Sequence, residues 1–351
     1  METAIPRHLR TERTRPRRVP DDYAPPYPSF VARHRADVAG VVMAYFGVQY
    51  RGAPSLAVDA ALGAIAARFA AADGPSHWDR AWHEDQAGYV NVLSVAYWDD
   101  VAAFDRWFMP ARAAWTGDAQ AGAGIGFFIE VIRPAVESYE TLFSSPDRPE
   151  GVAVLADGMS GEVQEHAYWG GMRDRIALSQ TSDLAPRGEA ELIVDGPRRR
   201  VVVHDNLCLI RSGQDWSDTD AAERAMYLDD VEPVLRAGMD FLRDEGRPIG
   251  CYANRYVAVI AADGRATEKS YGVSWWKSLA ALERWAESHP THVRIFGAAM
   301  KYLSSLGPRA KLRLYHEVSL ARTEEQFFEY LGCHDGTGLL NAIARGPDQP
   351  G

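Results

Sequence analysis

The sequence predicts an α+β fold made of two ferredoxin-like (βαββαβ) halves whose sheets face each other. Three observations lead there. The chain has 351 residues, which at roughly 150 per domain suggests two domains or one fold in two halves. It repeats itself: Tyr97-Trp98-Asp99-Asp100-Val101-Ala102-Ala103-Phe104-Asp105-Arg106-Trp107 matches Trp275-Trp276-Lys277-Ser278-Leu279-Ala280-Ala281-Leu282-Glu283-Arg284-Trp285, and Phe127-Phe128-Ile129-Glu130-Val131 answers Leu314-Tyr315-His316-Glu317-Val318. Strand-like and helix-like patterns also alternate twice along the chain. Hydrophobic residues at 46% and charged residues at 25% are an ordinary globular balance and argue against a mainly disordered chain.

In chain order, residues 1–35 read as an arm. Six arginines lie between Arg7 and Arg18, and Arg17-Arg18 suggests a twin-arginine signal. No apolar stretch follows, as a secretion signal requires. Pro25-Pro26-Tyr27-Pro28 instead suggests a polyproline-like segment that wraps another part of the protein or a second subunit. Residues 36–145 form the first half, with a buried strand over 41–50 and a helix over 55–72. Residues 146–198, rich in Gly and Pro, connect the halves and are expected to carry substrate-site residues. Residues 199–344 form the second half, with a buried strand over 201–210. There Ser217 and Asp220 make a capping-box-like start for a helix running towards Leu242. Residues 345–351 read as a frayed tail.

Several function classes drop out. With 38 Lys and Arg against 48 Asp and Glu, the net charge is −10, which disfavours general nucleic-acid binding. The longest apolar run, 41–48, is far short of the ~20 residues a membrane span needs. Cys208, Cys251 and Cys333 lie far apart with no CxxC, as expected for reduced thiols in a cytoplasm. Gly122-Ala123-Gly124-Ile125-Gly126 precedes a strand and lacks the dinucleotide spacing, and there is no Walker A, HExxH or GxSxG motif.

Five residues remain as candidates. In His289-Pro290-Thr291-His292, Pro290 ends one helix and Thr291 is placed to cap the next. His292 heads an apolar stripe of Ile295, Phe296, Ala299 and Leu303, with no second ligand on that face. One imidazole in an apolar wall suits an axial haem ligand, and equally a hydrogen-bonded core histidine. Strand alternation puts His316 on one face with Leu312, Leu314 and Val318, where the other half carries Ile129. A histidine breaking the apolar rule in one copy marks either a site or a half-buried strand residue. Ser212 follows a strand end in ordinary turn chemistry. Arg175 reads as a surface ion pair, and Glu140 as a solvated helical residue unless a histidine faces it.

Together these segments resemble the haem-containing aldoxime dehydratases. The resemblance rests on Arg211-Ser212-Gly213-Gln214-Asp215-Trp216, Glu287-Ser288-His289-Pro290-Thr291-His292, Leu312-Arg313-Leu314-Tyr315-His316-Glu317-Val318, Tyr168-Trp169-Gly170 with Met172-Arg173-Asp174-Arg175, and Phe46-Gly47-Val48-Gln49-Tyr50-Arg51-Gly52. It runs from about Arg18 to Gly338. It implies a dimeric α/β-barrel-type fold with a haem pocket, a homodimer in the cytoplasm, haem b that is ferrous in the active state, and conversion of aldoximes to nitriles and water. His292 is then the proximal iron ligand and His316 the distal acid–base group. Ser212 and Arg175 hold the substrate hydroxyl, and Glu140 orients and charges His316. One departure is the run of small residues Gly297-Ala298-Ala299, where the family carries bulkier sequence. A ferredoxin-like haem peroxidase or haem-binding protein would share His292 without needing His316 as a proton shuttle.

Overall fold

A computed structural model describes residues 1–167, 171–261 and 263–343; the expected tail and the Tyr168-Trp169-Gly170 motif lie outside them. The arm leads to β1 (Ala32–Arg33). The first half runs β2 (Val42–Tyr50), α1 (Leu56–Phe69), β3 (His77–Glu84), β4 (Val90–Trp98), α2 (Val101–Trp115) and β5 (Gly126–Ile132). Then come β6 (Tyr139–Phe143), β7 (Gly158–Met159), α3 (Gly171–Arg175), β8 (Glu191–Asp195) and β9 (Arg198–Val202). The second half runs β10 (Leu207–Asp215), α4 (Ala221–Met226), a π turn (Tyr227–Val231), α5 (Glu232–Glu245), β11 (Cys251–Ile260), β12 (Ala266–Trp276), α6 (Leu279–Ser288), α7 (Pro290–Leu306) and β13 (Arg313–Ala321). It is followed by β14 (Gln326–Leu331) and α8 (Leu340–Ile343).

The sequence repeat has a topological counterpart. One 12-stranded sheet has the order β6-β13-β10-β12-β11-β3-β4-β2-β5-β14-β9-β8, antiparallel throughout. Within it β13-β10-β12-β11 and β5-β2-β4-β3 are the same order of fourth, first, third and second strand. Each repeated helix starts on a side-chain cap, Asp100 to Ala102 and Ala103 in α2 and Ser278 to Ala281 in α6. Each carries a buried tryptophan at the equivalent position, Trp107 or Trp285. Two strands cross between the halves. β6, which follows the first half, extends the second half's edge through β13, and β14, which follows the second, extends the first's edge through β5.

Alternation sorts the side chains into layers. One face of the first half packs Phe46, Phe69, Trp98, Trp107 and Trp115 beneath α1 and α2. The equivalent face of the second half packs Val318, Leu320, Trp276, Trp285 and Met239 with its helices. The opposite faces of the two halves meet, with Tyr45 edge-on to Trp275. The cysteines are buried, unpaired thiols. No helix among the described residues is long and apolar enough to cross a membrane.

Local departures from the sequence reading have identifiable causes. Residues 201–210 are two strands, because Asn206 takes a positive φ of 58° and turns the chain between β9 and β10. Asp220 alone caps α4, accepting from the Ala222 and Glu223 amides, while the Ser217 hydroxyl donates back to Asp215. The arm wraps its own chain: Glu2 bridges Val163, and β1 pairs with β7.

Gly47 lies flat under the Phe128 ring, which a methyl group there would strike. Gly47→Ala is expected to cost about 1–3 kcal/mol through overpacking, read as a lower urea midpoint; an unchanged midpoint would mean the two strands yield freely.

Candidate functional site

The helix-covered face of the second half departs from an apolar layer where β6, β13 and β10 run side by side. On β13, Tyr315 and Glu317 turn to the inter-sheet side, where they meet Arg211 and Tyr97. His316 and Val318 therefore turn to the helix side. Ser212 of β10 stands directly opposite His316 in the ladder, and both are half-buried. On the other flank β6 sets Leu142 opposite His316 and Glu140 opposite Val318. The diagonal offset on one face lets the Glu140 carboxylate reach sideways to the imidazole.

Glu140 Oε1 lies 2.9 Å from His316 Nε2. Arg175, the last residue of α3, donates from Nε to Glu140 Oε2 at 2.6 Å and from Nη2 to Oε1 at 3.1 Å. The same Nη2 stands 2.9 Å from His316 Nε2, and Nη1 donates to the Glu165 carbonyl at 2.5 Å. The Arg175 and Glu140 side chains are 2% and 1% exposed, against 22% for His316. Burial pushes the Glu140 carboxyl up, but the Arg175 guanidinium and then the His316 ring outweigh it, so the carboxyl sits below its ordinary value.

His316 Nε2 thus faces a carboxylate that only accepts and a guanidinium that only donates. When Nε2 carries a proton it donates to Glu140. When it carries a lone pair it accepts from Arg175. The ring is held in either protonation state, and its Nδ1 makes no hydrogen bond among the described residues. Such an arrangement suits a group that gives a proton and later recovers one.

His292 lies in the first turn of α7. His289 is the N-cap, its Nδ1 accepting from the Thr291 amide, so the cap is not Thr291; that hydroxyl instead takes the Trp285 indole N–H at 3.0 Å. His292 Nδ1 is 2.8 Å from the Ala286 carbonyl. A carbonyl only accepts, so Nδ1 bears the proton and Nε2 the lone pair, the tautomer of a metal-ligating imidazole. Burial pulls the ring down to about 4, keeping it neutral. Beside it α7 exposes Val293 and Phe296, at 46% and 38%. A neutral imidazole donor next to uncovered apolar surface fits haem iron and a flat apolar macrocycle. Among the described residues no group of three or more His, Cys, Asp or Glu side chains could hold a bare metal ion.

All five expected residues are therefore placed. Glu140, Arg175 and His316 form one hydrogen-bonded cluster, Ser212 adjoins it, and His292 stands on a separate helix that shares an apolar cluster with the His316 strand through Ile295, Trp285 and Val318. Three readings are corrected. Ser212 lies within β10, paired on both sides, because the strand runs on to Asp215 and makes no turn at Ser212-Gly213. Glu140 is a buried strand residue, and Arg175 is a buried ion-pair partner, turned inward on Glu140. Sequence reasoning missed Glu165 and Asp174, which precede Arg175. Both are buried, and their one sequence signal is that they are acids shortly upstream of Arg175.

A family model described as haem-containing dehydratase matches residues 44–339. Aliphatic aldoxime dehydratase from Pseudomonas chlororaphis is 47% identical, over 99% of this chain and 100% of its own. Phenylacetaldoxime dehydratase from Bacillus sp. (strain OxB-1) is 34% identical, over 92% of this chain and 93% of its own. A crystal structure of aldoxime dehydratase in complex with butyraldoxime superposes with a TM-score of 0.92 at 46% identity, covering 97% of this chain and 96% of that one. The chain belongs to the haem-containing dehydratases: it is a lyase that uses haem.

Buried histidines set an acid limit on stability. Burial first, then the Arg175 charge, lowers His166 to about 4, and burial lowers His83 to about 3. Each has a folded value below its unfolded one, so its contribution is present above about pH 6.5 and is lost as pH falls towards the folded value. The urea midpoint is expected to drop between about pH 7 and pH 5, by on the order of 1–2 kcal/mol per neutral histidine. An unchanged midpoint would mean that these rings are protonated inside the fold.

Proposed function

We propose that this haem-containing dehydratase removes water from aldoximes (R–CH=N–OH) to give nitriles, with His316 as general acid and base. The observation that carries the reading is the Glu140–His316–Arg175 cluster, in which Glu140, fixed by Arg175, engages Nε2 of the imidazole and leaves Nδ1 for the substrate. His292, through its lone-pair Nε2, would hold haem b. When bound, ferrous haem supplies an electron-rich iron that a nitrogen donor can engage.

The remaining work falls to side chains. His316 Nδ1, free of other hydrogen bonds among the described residues, gives its proton to the hydroxyl, which leaves as water as the N–O bond breaks. The neutral ring then takes the proton from the oxime carbon as the C≡N bond completes. One proton is given and one recovered, with no net redox change. Glu140 accepts the Nε2 proton and stabilises the charged ring, and Arg175 holds Glu140 in place. Ser212, opposite His316, orients the oxime hydroxyl. Arg175, turned inward, acts on that hydroxyl through His316.

The shared strand order supports reading the halves, within 36–145 and 199–344, as ferredoxin-like units of a dimeric α/β-barrel-type fold. A cytoplasmic homodimer completes the proposal. Because a relative is known with butyraldoxime bound, a short aliphatic aldoxime is the substrate to test first.

His316→Ala should keep its haem while nitrile formation falls at least 10²-fold. His292→Ala should fold without haem. A haem-loaded wild-type protein that forms no nitrile from reduced, anaerobic incubation with the aldoxime would overturn the reading. So would His316→Ala retaining more than about a tenth of the rate.

A further inference from the structure

We infer that the N-terminal arm, acting through the buried carboxylates Glu165 and Asp174, is a positioning element for Arg175 and so for His316. The inference rests on the proposed role of the Glu140–His316–Arg175 cluster and adds to it the part of the chain that holds it in place.

Arg175 ends a five-residue helix that has no place in the 12-stranded sheet. Its flanks are held largely by the arm. Upstream, the Glu2 amide donates to the Glu162 carbonyl at 2.7 Å and the Gln164 amide to the Glu2 carbonyl at 3.1 Å. The Glu165 carboxylate accepts from the Thr3 hydroxyl at 2.8 Å, the Ala4 amide at 2.8 Å and the Arg17 guanidinium at 3.2 Å. Glu165 is also the residue whose carbonyl receives Arg175 Nη1. Immediately before Arg175, the Asp174 carboxylate accepts the Arg18 amide at 2.9 Å and the Val19 amide at 2.6 Å. Downstream, the Gln180 carbonyl takes the Thr14 amide at 2.9 Å, and its side-chain amide donates to the Leu9 carbonyl at 2.8 Å.

Physical chemistry makes this arrangement more than a seam. Glu165 and Asp174 are 2% and 1% exposed, and a carboxylate buried without donors costs several kcal/mol. Among the described residues, the hydrogen bonds to the Asp174 carboxylate come from arm amides and those to the Glu165 carboxylate from arm residues. Without the arm, both carboxylates lose these donors, and Arg175 is tied to both, as the chain neighbour of Asp174 and through the Glu165 carbonyl. The arm also walls a cavity of about 50 Å³ whose far side is Glu140 and Arg175. The arginine-rich run thereby finds a use: Arg17 pairs with Glu165, and Arg18 with Glu283 and Glu287. A displacement near 1 Å at such a cluster can cost on the order of 10²-fold in rate.

The test compares the full haem-loaded chain with one lacking residues 1–19, and with Asp174→Asn and Glu165→Gln in the full chain. It reads haem content, amide exchange over residues 160–180, and kcat and KM for a short aliphatic aldoxime. Truncation should leave haem content unchanged, speed exchange over 160–180 at least tenfold, and lower kcat at least tenfold with KM within threefold. A synthetic peptide of residues 1–19 should restore both exchange and kcat. If the truncated chain does not fold, the two point variants should show the same split of kcat from KM. Full-rate turnover or unchanged exchange in folded truncated protein, or in both point variants, would overturn the inference. Should the wild-type chain turn over no aldoxime, the functional reading fails, and exchange with peptide rescue alone decides the role of the arm.

Discussion

Taking a carboxylate and a guanidinium out of water costs several kcal/mol each unless they meet in good geometry. Glu140 and Arg175 meet through two parallel hydrogen bonds, nearly without exposure. The pair fixes the position of everything near it. It gives His316 an acceptor and a donor at one nitrogen, and it requires β6 to leave the first half and lie along β13. Had β6 stayed with the sheet of its own half, Glu140 would face no histidine. The reciprocal move of β14 onto β5 closes the edge that the first half would otherwise expose.

The repeat explains why there is one site and not two. Both halves have the same strand order and the same helix carrying a buried tryptophan, so each has a comparable helix-covered face. In the first half that face is filled by Phe46, Phe69, Trp107 and Trp115, in edge-on and stacked contact, and Ile129 occupies the position of His316. In the second half the fourth strand carries His316 instead, and Ser212 and Gly272 follow it across the ladder where large side chains would fill the space. An extra helix, α7, brings His292 with the partly exposed Val293 and Phe296. Aromatic packing fills one copy throughout, whereas the other sets small and polar residues beside His316, with Met239 over Gly272.

Much of this was legible in the sequence, unevenly so. Period-two alternation placed His316 on the helix-facing side of its strand, and period 3.6 placed His292 at the head of an apolar stripe; both depend only on local geometry. Glu140 and Arg175 were misread because their meaning is non-local. A glutamate in Ser138-Tyr139-Glu140-Thr141-Leu142 looks solvated until the strand is known to cross to the other half, and an arginine looks exposed until its acid is found. Ser217 and Asp220 both had capping chemistry, and only packing decided that Asp215 would take the Ser217 hydroxyl. Glu165 acts on Arg175 through its backbone carbonyl, which no side-chain pattern encodes.

The face of β13 away from the site completes the argument. Tyr315 and Glu317, on either side of His316, point between the halves. There the Tyr315 hydroxyl accepts from Arg211, and Glu317 accepts from the Tyr97 hydroxyl and the Val152 amide. Arg211, itself buried, pairs with Asp79 of the first half and lies 3.9 Å over the Tyr271 ring. Arg255 of β11 likewise pairs with Glu130 of β5 through two hydrogen bonds. Each of these ion pairs joins one half to the other. A slip of one residue in β13 would turn Tyr315 or Glu317 towards the helices and break these bonds at a cost of several kcal/mol. The inter-sheet network therefore holds the register on which His316 depends. Position and orientation of the imidazole are thus fixed by residues of β6 and α3 on one side of β13 and by the inter-sheet network on the other.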